Sequence, residues 1–136
     1  MGRRLRVFVV EDSAIIRGRI LDNLSALGYF EVIGYAESAD EAVEGIRNLQ
    51  PDVIITDIRL KEGNGIEVVR QVRADDVLPR PTVFVLTNYD YPEYRDQCSA
   101  AGADAFFDKS AEYDLLLSDL QRLGMRSPQP HSPPAG

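Results

Sequence analysis

Five short runs of β-branched and aromatic residues punctuate this chain, and a longer stretch of mixed polarity follows each one. The runs are Leu5–Val10, Phe30–Ala36, Val53–Thr56, Thr82–Leu86 and Asp104–Phe107. Those beginning at Leu5, Val53 and Thr82 are apolar almost throughout, the pattern of strands buried on both faces, as in a parallel sheet. The intervening stretches carry helical spacing instead. Ile16, Ile20, Leu24 and Leu27 form one stripe, and Ala42, Ile46 and Leu49 a second. Val68, Val69 and Val72 face inward from a third, and Tyr113, Leu116, Leu117 and Leu120 mark the last. Tyr91–Ala101 supplies the remaining helix, with Pro92 in its first turn and Gly102 beyond its end. Strands alternating with helices specify an α/β fold, and right-handed crossovers restrict it to a doubly wound, five-stranded parallel sheet covered by five helices. Phe30–Ala36 has the least continuous apolar pattern and is assigned to an edge.

Punctuation supports these boundaries. Asp12 or Ser13 can cap the first helix and Gly28 can stop it. Ser38-Ala39-Asp40-Glu41 fits a capping box, and Gln50-Pro51-Asp52 ends the second helix. With 136 residues the chain suits one domain, taken as residues 1–124. Residues 125–136 are proline-rich without apolar periodicity and are expected to form an extended or disordered tail. A net charge of −7 argues against direct nucleic-acid binding, which needs clustered Lys and Arg. A single cysteine, Cys98, permits no internal disulfide and is expected to be a buried thiol. The basic start Met1–Arg6 leads into an apolar run that halts at Glu11, too short for a signal peptide or a membrane span. Cytoplasmic residence is therefore expected.

In a parallel sheet the strand ends share one edge, and open α/β sheets place ligands there. The first strand delivers Glu11 and Asp12 to that edge, the third Asp57, the fourth Thr87 and the fifth Lys109. Three carboxylates, a hydroxyl and an ammonium are thus expected around one crevice. Clustered carboxylates resist ionisation unless a cation neutralises them, and oxygen ligands suit Mg²⁺. A carboxylate beside such an ion can attack a phosphoryl group, while a lysine offsets charge on the phosphoryl oxygens.

These stretches resemble the response-regulator receiver domain of two-component signalling, over residues 5 to about 123. The resemblance rests on Val9-Val10-Glu11-Asp12-Ser13, Pro51-Asp52-Val53-Ile54-Ile55-Thr56-Asp57-Ile58, Val85-Leu86-Thr87 and Gly102-Ala103-Asp104-Ala105-Phe106-Phe107-Asp108-Lys109. It implies a flavodoxin-like three-layer sandwich with strand order 2-1-3-4-5. It also implies Asp57 as phosphoacceptor, with a sensor histidine kinase or histidine phosphotransfer protein as donor. Mg²⁺ (or Mn²⁺) would be held by Glu11, Asp12, Asp57 and the backbone carbonyl of Arg59, with Lys109 and Thr87 assisting. Thr87 and Phe106 match the switch pair. A downstream protein or a second copy would read the state through helix 4, strand 5 and helix 5, with no direct role for nucleic acid or membrane.

Some positions depart from the family pattern. Ser110 replaces the usual proline after Lys109, which leaves the cis or trans state of that bond open, and Lys61 stands where proline is frequent. Asn88 is bulkier than the usual residue after Thr87. Arg59 and Tyr89 occupy positions that tune phosphoryl lifetime, and are expected to pair with the phosphoryl oxygens and to shield them from water. Tyr89, Tyr91 and Tyr94 suit either an interface or ordinary packing. A stand-alone, non-enzymatic switch is the leading expectation. The alternatives are a Mg²⁺-dependent phosphotransferase or phosphatase using Asp57 as nucleophile, and a phosphate-independent interaction module.

Overall fold

The computed structural model describes residues 4–126. Strands and helices alternate throughout: β1 (Leu5–Val10), α1 (Ala14–Leu27), β2 (Phe30–Ala36), α2 (Ala39–Leu49), β3 (Val53–Thr56), α3 (Gly65–Ala74), β4 (Thr82–Thr87), α4 (Pro92–Ala101), β5 (Ala105–Asp108) and α5 (Tyr113–Arg126). All strand pairings are parallel, in the order β2-β1-β3-β4-β5, so the expected topology is observed and β2 lies at an edge. Helix α5 runs through Met125 and Arg126, two residues past the expected domain boundary. The rest of the proline-rich stretch lies outside the described residues.

The period of two in the strands divides the core. Val7, Val9, Val53 and Ile55 point to one side, where Ile20 and Leu24 of α1 and Leu116 and Leu120 of α5 cover them. Phe8, Val10 and Ile54 point to the other, against Ala42 and Ile46 of α2 and Val68, Val69 and Val72 of α3. A smaller cluster, Ile58, Ile66, Val85 and Cys98, fills the space beneath α4. Three layers follow, because a strand buried on both faces must be covered on both. Cys98 is buried as expected, and burial pushes its thiol up to about 11, leaving it an unreactive core residue.

Local signals set the helix ends. The Ser13 hydroxyl accepts from the Ile16 N–H at 3.2 Å and Gly28 stops α1 with φ 84°. Ser38 accepts from the Glu41 N–H at 3.4 Å, but the Glu41 carboxylate accepts in return from the Glu37 N–H, one residue earlier than a capping box predicts. Gln50 closes α2 in the left-handed region at φ 50°, and its N–H donates to the Ile46 carbonyl at 2.8 Å. Between β1 and β2 the register slips, Val7 facing Val32 but Phe8 facing Gly34. This bulge at Ile33 has no counterpart in the apolar pattern.

One glycine couples fold to site. A Cβ on Gly65, at the start of α3, would fall 1.8 Å from the Asp57 carbonyl oxygen and 2.8 Å from the Thr56 hydroxyl. Gly65→Ala is therefore expected to push α3 off the end of β3 and to lower stability by about 3 kcal/mol in urea unfolding. Gly18→Ala should do the opposite. A Cβ on this exposed α1 residue meets nothing within 4 Å, so a gain of about 0.5–1 kcal/mol in the same assay is expected.

Candidate functional site

Strand register builds the site. Val10 of β1 pairs with Thr56 of β3, and the Asp57 N–H donates to the Val10 carbonyl at 2.9 Å. The residues that follow each strand, Glu11 and Asp57, therefore emerge side by side. On the far flank Thr87 pairs with Asp108, and the Thr87 carbonyl accepts from the Lys109 N–H at 2.8 Å. That bond aims the lysine across the strand ends. Its Nζ lies 2.8 Å from Glu11 Oε1 and 2.7 Å from Asp57 Oδ2.

The bridge is dry. The side chains of Glu11, Asp57 and Lys109 are only 3%, 7% and 11% exposed, so water screens their attraction weakly. The outer oxygens are held as well: Asp57 Oδ1 accepts from the Ile58 N–H at 2.6 Å and Glu11 Oε2 from the Ser13 N–H at 3.0 Å. Burial pushes the Glu11 carboxyl above its ordinary range, and the hydrogen bonds from Lys109 and Ser13 offset this only in part. Burial also works against the Lys109 ammonium, but the two carboxylates outweigh it and its pKa ends above the usual lysine range.

Asp12, the third carboxylate expected here, lies outside this bridge. Asp12 is exposed, and among the described residues no group of three Asp, Glu, His or Cys side chains stands ready to hold a metal ion. Two acids can be buried here because one ammonium serves both; a third would have no counter-charge, and it stays in water. Ser13 rather than Asp12 caps α1.

The other predicted residues surround the bridge. Thr87 is fully buried, and its hydroxyl accepts from the Tyr89 N–H at 3.2 Å rather than reaching Asp57. Arg59 is exposed and lays its guanidinium 4.9 Å from the centre of the Tyr89 ring, so the two residues given separate tasks from sequence are partners. Phe106 is half-buried against the Ile58–Ile66–Val85–Cys98 cluster. Asn88 is exposed and lines a cleft of about 390 Å³ between α1 and α5, into which Lys109 and Tyr113 also face. No peptide bond among the described residues is cis, so Lys109–Ser110 is trans. The Asp108 carboxylate holds that loop by accepting from the N–H groups of Ser110 at 3.0 Å and Ala111 at 2.7 Å. Tyr91 and Tyr94 pack ring to ring at 5.8 Å.

Two arginines near the site carry no sequence signal. Arg17 donates to the Glu11 carbonyl at 2.7 Å and to Glu37 at 3.3 Å, and stacks 4.0 Å over the Tyr35 ring, which steadies the β1–α1 turn. Arg95 contacts Phe106 and two acids. Both sit on polar helix faces, where an arginine reads as a solvated charge until the fold brings its partners close.

A doubly wound sheet with a lysine-bridged carboxylate pair at its strand ends defines a class of acidic-site α/β proteins, and the comparisons narrow it. The description of the response regulator receiver domain matches residues 7–121. The chemotaxis protein CheY of Thermotoga maritima is 30% identical over 123 residues, covering 90% of this chain and 98% of that protein. The chain therefore belongs to the response regulator receiver domain family of two-component signalling. It is also 33% identical over 120 residues to the DNA-binding transcriptional activator DevR/DosR of Mycobacterium tuberculosis, covering 88% of this chain but only 54% of that protein. Three other curated relatives are likewise far longer than the shared region, which spans 29%, 29% and 31% of their lengths. Among solved structures, the signal receiver domain of NarL from Mycobacterium tuberculosis superimposes with a TM-score of 0.80 at 27% identity, covering 91% of this chain and 98% of that one.

Removing the shared ammonium tests the electrostatics. In Lys109→Met the Glu11 carboxyl, already raised, should rise further. A group whose folded pKa exceeds its unfolded value contributes stability that is full below the unfolded pKa and lost as pH rises through the folded one. Urea unfolding should accordingly show the stability lost in Lys109→Met growing as pH rises above the ordinary carboxylate range. A pH-independent loss would contradict the shared-lysine account.

Proposed function

We propose that this receiver domain is a phosphorylation-controlled switch in which Asp57 accepts a phosphoryl group from a sensor histidine kinase or a histidine phosphotransfer protein. The observation that carries this reading is the Lys109 ammonium at 2.7 Å from Asp57 Oδ2, with Glu11 on its other side. A buried carboxylate in contact with a lysine is a competent nucleophile, and the same lysine is placed to offset charge on the incoming phosphoryl oxygens. In the transfer a carboxylate oxygen of Asp57 forms the new P–O bond as the donor's P–N bond breaks, and the bond's electron pair leaves with the imidazole nitrogen. The product is an acyl phosphate on the protein itself. Arg59, two residues on, offers no carboxylate to act as general acid for a separate substrate, which favours a self-modifying switch over a phosphatase.

Mg²⁺ (or Mn²⁺) suits this edge because Glu11, Asp57 and the Arg59 carbonyl offer only hard oxygens, and Asp12, exposed in the resting arrangement, would turn in to complete the set. The carbonyls just before Arg59 are already engaged, Asp57 by the Thr56 hydroxyl at 2.8 Å and Ile58 by the Gly65 N–H at 2.7 Å. When bound, the ion would neutralise phosphoryl charge alongside Lys109. Ile15, 84% exposed in the first turn of α1, gives the rim an apolar contact suited to a protein donor. Tyr91 and Leu115, both 55% exposed, suit readout by a protein partner or a second copy through α4, β5 and α5. No described helix is long and apolar enough to cross a membrane, and a cytoplasmic switch is the proposed setting.

Incubation with acetyl phosphate and Mg²⁺ should add one phosphoryl group, detected by intact-protein mass spectrometry, and Asp57→Asn should abolish it. Labelling that persists in Asp57→Asn would move the acceptor elsewhere. The Arg59–Tyr89 stack covers the approach of water to the acyl phosphate in this reading. Replacing both by alanine should shorten its half-life severalfold, and unchanged decay of labelled protein would remove the pair from lifetime control.

A further inference from the structure

Arg95, in the first turn of α4, is gripped from three sides. Its Nε donates to the Asp90 carboxylate at 2.5 Å and its Nη2 to the Glu112 carboxylate at 2.7 Å. The guanidinium also lies 4.5 Å from the centre of the Phe106 ring. Each partner belongs to a different segment. Asp90 is three residues past Thr87, in the loop between β4 and α4; Phe106 is within β5; Glu112 is in the turn between Lys109 and α5. Glu112 Oε1 additionally accepts from the Asp108 N–H at 2.9 Å, the residue just before Lys109.

We infer that Arg95 is a positioning residue that clamps the loop carrying Thr87 to the turn carrying Lys109 and holds the Phe106 ring between them, so that phosphorylation of Asp57 must work against this clamp to change the readout face. The inference rests on the reading of Asp57 as acceptor and names what holds that switch in its resting state. The Thr87 hydroxyl is engaged by the Tyr89 N–H, so drawing it towards Asp57 moves the chain at Tyr89 and Asp90. Asp90 is in turn tied through Arg95 to Phe106 and Glu112. Each contact alone is modest, since the side chains of Arg95, Asp90 and Glu112 are between 30% and 40% exposed. Together they use one planar guanidinium, whose fork serves both acids while its face lies on the ring, so its freedom is lost only once. The pairing agrees with the acidity of the partners. The Arg95 hydrogen bond draws the Asp90 carboxyl below its ordinary range, and the Asp108 N–H followed by Arg95 does the same for Glu112.

The test uses the full chain labelled with fluorinated phenylalanine, with the Phe106 resonance assigned by its loss in Phe106→Leu. Beryllofluoride with Mg²⁺ serves as phosphoryl mimic. Without the mimic, Arg95→Gln should shift the Phe106 fluorine resonance. With it, half-saturation should fall by roughly three- to tenfold, with Arg95→Lys in between, the size two half-exposed ion pairs and a ring contact can supply. Asp90→Asn and Glu112→Gln each remove one arm, should each give part of the effect, and stand in if Arg95→Gln does not fold. An unmoved Phe106 resonance in the resting variants overturns the clamp, as does wild-type half-saturation in all of them. Failure of the wild type itself to bind beryllofluoride would sink the phosphoacceptor reading, while the resting resonance would still decide the clamp.

Discussion

Two carboxylates lie within reach of one ammonium at the buried ends of the strands, and the architecture around them depends on that charge balance. Glu11 and Asp57 are almost free of solvent, an arrangement that without Lys109 would leave like charges facing each other in a medium of low polarity. The lysine reaches them because its own N–H is pinned by the Thr87 carbonyl at the end of β4. Four parallel strands must therefore hold register for one ion bridge to form. The close approach of Gly65 to Asp57 extends the same constraint to α3.

From this bridge, contacts run outward in two directions. Thr87 orders Tyr89 through its hydroxyl, and Tyr89 supports Arg59, two residues past Asp57. On the other flank Asp108 and Glu112 shape the turn after Lys109, and Arg95 joins that turn to Asp90 and Phe106. The loops on either side of the lysine are thus organised by side-chain contacts from distant segments. The fold beneath them superimposes on a receiver domain with a TM-score of 0.80 at 27% identity.

Much of this was legible beforehand, for identifiable reasons. Strands buried on both faces advertise themselves as continuous apolar runs, and Ser13, Gly28 and Gly102 mark helix ends through local backbone chemistry. The placement of Glu11, Asp57, Thr87 and Lys109 on one edge followed from parallel topology alone. Other features were illegible because they depend on register or on distant partners. The slip at Ile33 leaves no trace in a strand whose apolar pattern is already broken. The retreat of Asp12 into solvent depends on how many acids one lysine can serve. Arg95 and Glu112 are 17 residues apart and Arg17 and Glu37 are 20 apart, beyond the reach of any helical or strand period.

Sequence by itself determined the layer structure, the helix boundaries and the identity of the groups delivered to the strand ends, because burial periodicity and capping are local and backbone direction carries residues to a common edge. Tertiary structure alone decided which of those groups touch. Lys109 bridges Glu11 and Asp57 but not Asp12, Thr87 bonds to Tyr89, and Arg95 gathers Asp90, Phe106 and Glu112. Such choices are settled by distances of a few ångströms between side chains far apart in the chain, and by competition among charges for one partner in a site with little water.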